Sequence, residues 1–200
     1  VGDSGVGNVL NITPSLLTVV LDRYAVLGTA DVPLTGSLQF VHSNAPSLFV
    51  DISGTGTPLG LGDDDEVTII STVGNSIFAA GPVTVGNNGG ILAGTTDLSF
   101  SNTTLPSGNF GAALLPFWDD LDGPSPGDVY WQELQVAGRN ALVVQWANRE
   151  HYDSLGAGTF QIQLFEDGPV LARYAYADVV FDLIDVDGGA SATIGYQQDT

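Results

Sequence analysis

Acidic side chains stand in closely spaced groups along this 200-residue chain. Carboxylate oxygens are the ligands that Ca²⁺ prefers in proteins, and acid-rich loops between strands supply several at once. Two groups therefore provide candidate calcium ligands: Asp63, Asp64, Asp65, Glu66, Asp119, Asp120 and Asp122. A third acidic group, 182–187, precedes a Gly-Gly pair. None of these groups has the spacing of the helical calcium loop, so a solvated acidic turn is the alternative interpretation of each.

Signatures of catalysis are few. His151 lies between carboxylates in Glu150-His151-Tyr152-Asp153, where it would serve a hydrolase as a general base. The alternative is an ordinary surface turn between two strands. Gly2-Asp3-Ser4-Gly5 has the letters of protease loops, but both histidines follow it, which is the wrong order for a trypsin-like triad. The sequence therefore predicts a protein that is not an enzyme.

Aromatic residues and sequons offer two further candidate sites. Trp118 or Tyr152 beside an acidic group would suit a calcium-dependent carbohydrate-binding module, although such side chains more often fill a core. Trp146 alternates with apolar neighbours and is predicted to be core. Asn11 and Asn102 begin glycosylation sequons, which makes them candidate glycan attachment points.

Composition excludes several classes of function. The chain has 4 basic and 23 acidic residues, a net charge of −19, and this charge opposes binding to nucleic acid or to anionic lipid. No stretch approaches the ~20 apolar residues of a membrane span, so no membrane insertion is expected. Cysteine is absent, which excludes disulfides. Because the chain starts at Val1, we expect a processed product from which a secretion signal was removed, and an extracellular or cell-surface location.

Alternating apolar and polar residues predict the elements that would hold these sites. Leu142, Val144 and Trp146 fall on one face of a strand, and 159–165 repeats the pattern with Gln161 and Gln163 facing outward. Turn residues at 137–140 and 166–169 separate these strands. Further strands are predicted in the less regular first half, at 15–21, 36–41, 48–52, 67–72 and 77–85, with glycine-rich loops at 54–62 and 86–94.

These patterns predict an all-β fold, an antiparallel two-sheet sandwich of the jelly-roll type. We interpret residues 1–200 as one domain, the alternative being a division near residue 60. Residues 1–21 begin with glycines and continue as a strongly β-forming run. Such a segment is able to pair with the open sheet edge of a neighbouring subunit, although completing its own sheet is the commoner outcome.

The second half of the chain also resembles a known family. The run Leu115-Pro116-Phe117-Trp118-Asp119-Asp120-Leu121, followed by the strand patterns at 129–132, 142–146 and 159–168 and the closing 192–196, is similar to the nidogen-type extracellular domain and to β-rich modules of large secreted bacterial surface proteins. The resemblance covers residues 90–197. It implies an extracellular adhesive or architectural module and supplies no catalytic residues.

Taken together, the residues and the resemblance predict a non-enzymatic extracellular structural or adhesive protein. Its expected partner is another copy of itself, joined through the N-terminal strand into a fibre or surface layer, or an extracellular carbohydrate or protein. The alternative function is a calcium-dependent carbohydrate-binding module.

Overall fold

The computed structural model describes residues 8–12, 17–20, 39–40, 48–94, 97–123, 127–153 and 156–198. Their strands are β1 (Asn8–Ile12), β2 (Leu17–Val20), β3 (Gln39–Phe40), β4 (Thr57–Pro58), β5 (Glu66–Ser71), β6 (Gly81–Gly86), β7 (Gly90–Ala93), β8 (Ala113–Trp118), β9 (Asp128–Val136), β10 (Arg139–Glu150), β11 (Ala157–Phe165), β12 (Ala172–Asp178) and β13 (Thr193–Gln197). A 3-10 turn occupies Asp187–Gly189. Within these residues no helix has the length and apolar character needed to cross a membrane.

The strands form two sheets that enclose one main core. The larger sheet has the order β3-β2-β1-β12-β11-β10-β9-β4, and the smaller has the order β13-β8-β7-β6-β5. Neighbouring strands run antiparallel, apart from a short parallel contact between β2 and β3. Strands β9 to β12 form one meander and strands β5 to β8 another. The predicted all-β, two-sheet sandwich is confirmed.

The hairpin between β9 and β10 shows how the sequence makes a tight connection. Ala137 and Gly138 both have positive φ, 52° and 79°. Two successive residues of this kind match the right-handed twist of the flanking strands, and glycine adopts the conformation without steric cost. The hairpin aligns Arg139 with Val136, so the side chains that alternate along β10 keep one face toward the core.

The main core lies between the sheets, where the alternation of β10 and β11 predicted it. Leu142, Val144 and Trp146 are fully buried, and the Trp146 ring stacks on Phe160 with centroids 5.3 Å apart. Trp146 Nε1 donates hydrogen bonds to the carbonyl oxygens of residues 86 and 87, at 3.0 and 3.1 Å. This indole therefore fastens the larger sheet to the end of β6 in the smaller one.

The outer face of the larger sheet differs from the prediction. Gln161 and Gln163 do point away from the core, as alternation requires, but both are 0% exposed rather than solvated. The segment 48–52, predicted to be a strand, crosses this face without joining a sheet. It covers a second apolar cluster that includes Val143 and Phe165.

Three other boundaries in the first half also differ. The strand predicted at 77–85 begins only at Gly81, and the predicted loops 54–62 and 86–94 contain β4 and β7 respectively. Gly90 lies inside β7, where a Cβ would come within 2.5 Å of Leu115 and 2.8 Å of Leu98. This glycine allows close packing, whereas glycine in a sequence usually indicates a loop. The strands predicted at 15–21 and 36–41 coincide with β2 and β3, and their flanking residues lie outside the described part.

Candidate functional site

The acidic loops meet at one end of the sandwich, because the strands that precede or follow them all end there. Asn88, in the turn between β6 and β7, holds two of these loops together. Its Nδ2 donates to Asp64 Oδ1 at 2.9 Å, and its Oδ1 accepts the Leu121 N–H at 3.0 Å. The loop that follows β8 is also tied to β10, since Asp122 N donates to the Glu150 carbonyl oxygen at 2.9 Å. We call this region the acidic end.

Three of the predicted calcium ligands converge at the acidic end. Asp63, Asp64 and Asp120 each offer a carboxylate oxygen, and these oxygens lie within 4.8 Å of one another. Calcium–oxygen distances of about 2.3–2.6 Å allow two ligands of one ion to be up to about 5 Å apart. The group therefore fits a calcium ion geometrically, and it supplies three of the oxygen ligands that the ion requires.

The remaining predicted ligands lie outside this group. The Asp65 carboxylate accepts the N–H of Glu66, and the Asp122 carboxylate accepts the N–H of Gly123. Asp119 accepts a hydrogen bond from Ser191 Oγ. Glu66 lies near Asp97, and burial together with the charge of Asp97 raises the pKa of Glu66.

The electrostatics of the acidic end favour a cation. Burial and the neighbouring charge of Asp64 raise the pKa of Asp63, and the same two causes raise the pKa of Asp120. Arg149 lies beneath the loops, fully buried, and donates to the carbonyl oxygens of Leu61 and Gly127 and to the Asn87 side chain. Burial lowers the pKa of Arg149, although nearby carboxylates oppose the effect. One buried arginine thus offsets only part of the acidic charge.

The sequence suggested an ordinary surface turn around His151, but the structure buries this residue. It directly follows β10, forms a bridge with Leu121, and is only 5% exposed. Its Nδ1 accepts the Asp153 N–H at 3.1 Å, and its Nε2 lies 3.6 Å from Asp119 Oδ1. Because Ser191 contacts Asp119 rather than the imidazole, these side chains do not form a serine–histidine–aspartate relay.

The two aromatic residues considered for carbohydrate binding differ in exposure. Trp118 is buried, its Nε1 donates to the Ser99 carbonyl oxygen at 2.7 Å, and its ring packs edge-on against Phe110. Tyr152 is 63% exposed and stands without Trp118 as a second stacking surface. The tryptophan belongs to a small apolar cluster on the outer face of the smaller sheet, so it is unable to stack on a sugar.

The two sequons lie in different surroundings. Asn11 is on β1, opposite Arg173 of β12. Asn102 Nδ2 donates to the carbonyl oxygens of Trp118 and Ser191, at 2.9 and 2.7 Å. A glycan replaces one of the two amide hydrogens, so its attachment at Asn102 would break one of these bonds. Glycosylation of either asparagine stays a prediction.

A second candidate site is the edge of the larger sheet beyond β12. Strand β1 pairs with β12 over five residues, from Asn8 opposite Tyr176 to Ile12 opposite Ala172, and β2 then pairs with β1. We call β1 and β2 the arm. In this chain the arm completes its own sheet, which is the alternative that the sequence left open.

Sequence reasoning missed two sets of buried amides. Asn87 and Asn88 organise the acidic end, and Gln145, Gln161 and Gln163 hold the segment that crosses the larger sheet. A usable signal was the recurrence of glutamine at alternate positions within otherwise apolar strands. A solvated face and a face covered by a further segment give the same pattern.

Comparison with protein families then places the chain. The sequence profile described as "NIDO related" matches residues 39–200, four fifths of the chain. The chain belongs to the NIDO-related family. This match confirms the resemblance predicted for residues 90–197 and extends it to β3, so that among the described residues β1 and β2 alone precede the match. The NIDO-related domain is of the extracellular type. Comparisons with curated proteins and with solved structures gave no match.

Proposed function

We propose that this NIDO-related protein is a non-enzymatic extracellular structural module whose copies join when β1 of one copy pairs with β12 of the next. One observation carries the proposal. Strand β1 precedes the residues that match the family, yet it covers an edge that the matched residues would otherwise leave open. An added strand of this kind is a common way for one chain to bind another.

The bonds at this edge favour exchange between copies. Pairing of β1 with β12 uses main-chain N–H and C=O groups in a five-residue register, and these groups are the same in every copy. Donor strand and acceptor edge are different surfaces, so a copy that gives its β1 to one neighbour still offers its own β12 to another. Such head-to-tail contacts produce an open chain where the rotation between successive copies does not close into a ring or a reciprocal dimer.

The length of the connection also permits exchange. Residues 21–38 separate β2 from β3. A segment of 18 residues reaches at most about 60 Å, whereas a 200-residue domain has a radius of gyration of about 16 Å. The sheet edge of an adjacent copy is therefore within covalent reach of the arm.

Sedimentation velocity and electron microscopy of the intact protein at increasing concentration test this proposal. We expect a series of oligomers or fibres, and we expect Leu10→Pro to abolish them because proline removes a ladder hydrogen bond from β1. Leu10→Thr is the matched control, since threonine keeps the main-chain donor and favours strands. An intact protein that stays monomeric at its highest soluble concentration would rule the proposal out.

A second function, calcium binding at the acidic end, is supported by the convergence of Asp63, Asp64 and Asp120. A bound ion would offset the burial of charge and the repulsion from Asp64, which together raise the pKa of Asp63 and of Asp120. It would also link the loop before β5 to the loop after β8. We propose that calcium stabilises the folded module by this route.

Thermal melts in calcium and in chelator test the calcium proposal. An ion present at 100 times its Kd stabilises the folded state by about 2.7 kcal/mol, which gives a clear rise in Tm. Asp120→Asn should remove most of that rise, and should itself raise the Tm in chelator because it relieves repulsion among the carboxylates. The exposed Asp185, which lies outside the converging group, gives the control Asp185→Asn. Identical wild-type melts in both conditions would exclude calcium.

A further inference from the structure

A short segment crosses the outer face of the larger sheet and is held there by side chains rather than by strand pairing. We call residues 48–52 the strap. Gln161 makes two bonds to Val50: its Oε1 accepts the Val50 N–H at 3.0 Å, and its Nε2 donates to the Val50 carbonyl oxygen at 2.9 Å. A primary amide has the donor and the acceptor of a peptide group, so Gln161 replaces the neighbouring strand that the strap lacks.

Two further glutamines extend this recognition along the strap. Gln145 Oε1 accepts the Ile52 N–H at 2.8 Å, and Gln145 Nε2 donates to Asp51 Oδ1 at 2.9 Å. Gln163 Nε2 donates to the Leu48 carbonyl oxygen at 2.7 Å. The main-chain groups bound are those of alternate residues, 48, 50 and 52, as an extended backbone requires. We call Gln145, Gln161 and Gln163 the clamp.

The clamp is buried and internally connected. Its three side chains are at most 1% exposed, Gln163 Nε2 also donates to Gln161 Oε1, and Arg173 donates to Gln163 Oε1 at 3.0 Å. Ile52 is itself fully buried, in a cluster with Val143 and other apolar residues of β9 to β11. Lifting the strap would break the five hydrogen bonds between the clamp and the strap and would expose the apolar cluster to water.

We propose that the clamp fixes the strap to its own subunit, so that the segment exchanged between copies ends before Leu48. This inference rests on the proposed function, because it defines which part of the chain moves in an exchange. The arm lies at a sheet edge and exchanges. The strap lies across strands β10 and β11 in the middle of the sheet and stays in place. The clamp residues are positioning residues: they hold the strap, and the strap marks the end of the segment that exchanges.

Mixed single-cysteine variants test the inference, since the natural chain has no cysteine to interfere. For the arm, Val9→Cys is mixed with Ala175→Cys, because these residues are opposite each other in β1 and β12. For the strap, Thr55→Cys is mixed with Gln132→Cys and treated with a short thiol crosslinker. Thr55 Oγ1 donates to Gln132 Oε1 at 2.9 Å, and Thr55 N bonds to the Ile52 carbonyl oxygen, so Thr55 reports on the end of the strap.

We expect crosslinked dimers from the arm mixture and at least tenfold fewer from the strap mixture under assembly conditions. Each double variant in one chain is the positive control, since it should crosslink within the subunit in dilute solution. Dimers from both mixtures would overturn this inference but leave the proposed function standing. An absence of dimers from the arm mixture would overturn the proposed function, and the inference with it.

Removal of a clamp residue tests its role directly. Gln161→Leu, introduced into both partners of the strap mixture, should raise the yield of strap dimers several-fold, because the strap is then free to leave its own subunit. The exposed Gln135 of β9 provides the control Gln135→Leu. If Gln161→Leu fails to fold, Gln145→Leu replaces it. A folded clamp variant that still gives no strap dimers would show that the clamp does not fix the strap.

Discussion

The arm and the strap both attach the first quarter of the chain to the larger sheet, but they do so by different bonds. The arm pairs through main-chain groups at an edge, and the bonds it makes are available on every copy. The strap is bound by buried amide side chains on a face, with Ile52 inserted into an apolar cluster. An edge contact is therefore replaceable by another chain, whereas a contact across a face is specific to the segment that it binds.

The largest effect on stability should come from the strap. Gln161→Leu leaves the partly buried N–H and carbonyl of Val50 without their Gln161 partners, so we expect a loss of about 2–4 kcal/mol in the free energy of unfolding. Urea unfolding measures it. Gln135→Leu, on an exposed site of β9, should change stability by less than about 0.5 kcal/mol. Equal losses in both variants would remove the distinction between clamp and surface.

A smaller loss of stability is expected from the arm. Leu10→Pro removes a ladder bond from a strand near the sheet edge, which corresponds to about 1–2 kcal/mol in urea unfolding of the monomer. Its effect on assembly should be far greater than its effect on stability, and Gln161→Leu should show the reverse. A Leu10→Pro protein less stable than Gln161→Leu would contradict this ranking.

Acid should act on the body of the sandwich and on the assembly in opposite directions. Although burial raises the pKa of Glu133, hydrogen bonds from Ser71, Thr72 and Val73 outweigh burial and lower it overall. The stabilisation from Glu133 is therefore present above its unfolded pKa, near 4.5, and is lost as the pH falls through the lower folded value. Glu133→Gln should cost about 1 kcal/mol at neutral pH and should flatten this acid-dependent loss in urea titrations.

Assembly should instead become easier over the same range of acid, because the net charge of −19 approaches zero near the isoelectric point of about 4.1. Sedimentation at decreasing pH measures this trend, with Glu133→Gln as a variant whose assembly should follow the wild type. Assembly that weakens as the charge falls would contradict an edge contact opposed only by repulsion.

The smallest expected effect is that of salt. Raising the ionic strength from about 0.01 M to about 0.15 M shortens the Debye length from about 30 Å to about 8 Å, which screens repulsion between acidic copies. We expect the association constant to rise a few-fold, while the unfolding free energy of the strap variants relative to wild type stays unchanged. Sedimentation and urea unfolding in both buffers check this. Salt-induced dissociation would indicate an attraction between charges.

Alternation in the sequence was sufficient to predict the β10 and β11 strands and the inward positions of Leu142, Trp146 and Phe160. It failed where a second layer covers a sheet, because Gln161 and Gln163 have the same spacing whether solvent or a strap lies over them. At the acidic end, sequence grouping suggested seven ligands, and folding brought together Asp63, Asp64 and Asp120. That selection depends on Asn88, which joins two loops far apart in sequence and which no local pattern identifies.

Native-state hydrogen exchange tests the difference between arm and strap most directly. In dilute protein, the amides of β1 should exchange through local opening, with a free energy well below that of global unfolding. The amides of Val50 and Ile52 should exchange only when the whole domain unfolds, because buried glutamines accept both. If the strap amides exchange as readily as those of β1, or more readily, the clamp does not hold the strap in place. The proposal that the arm exchanges while the strap stays fixed is then wrong.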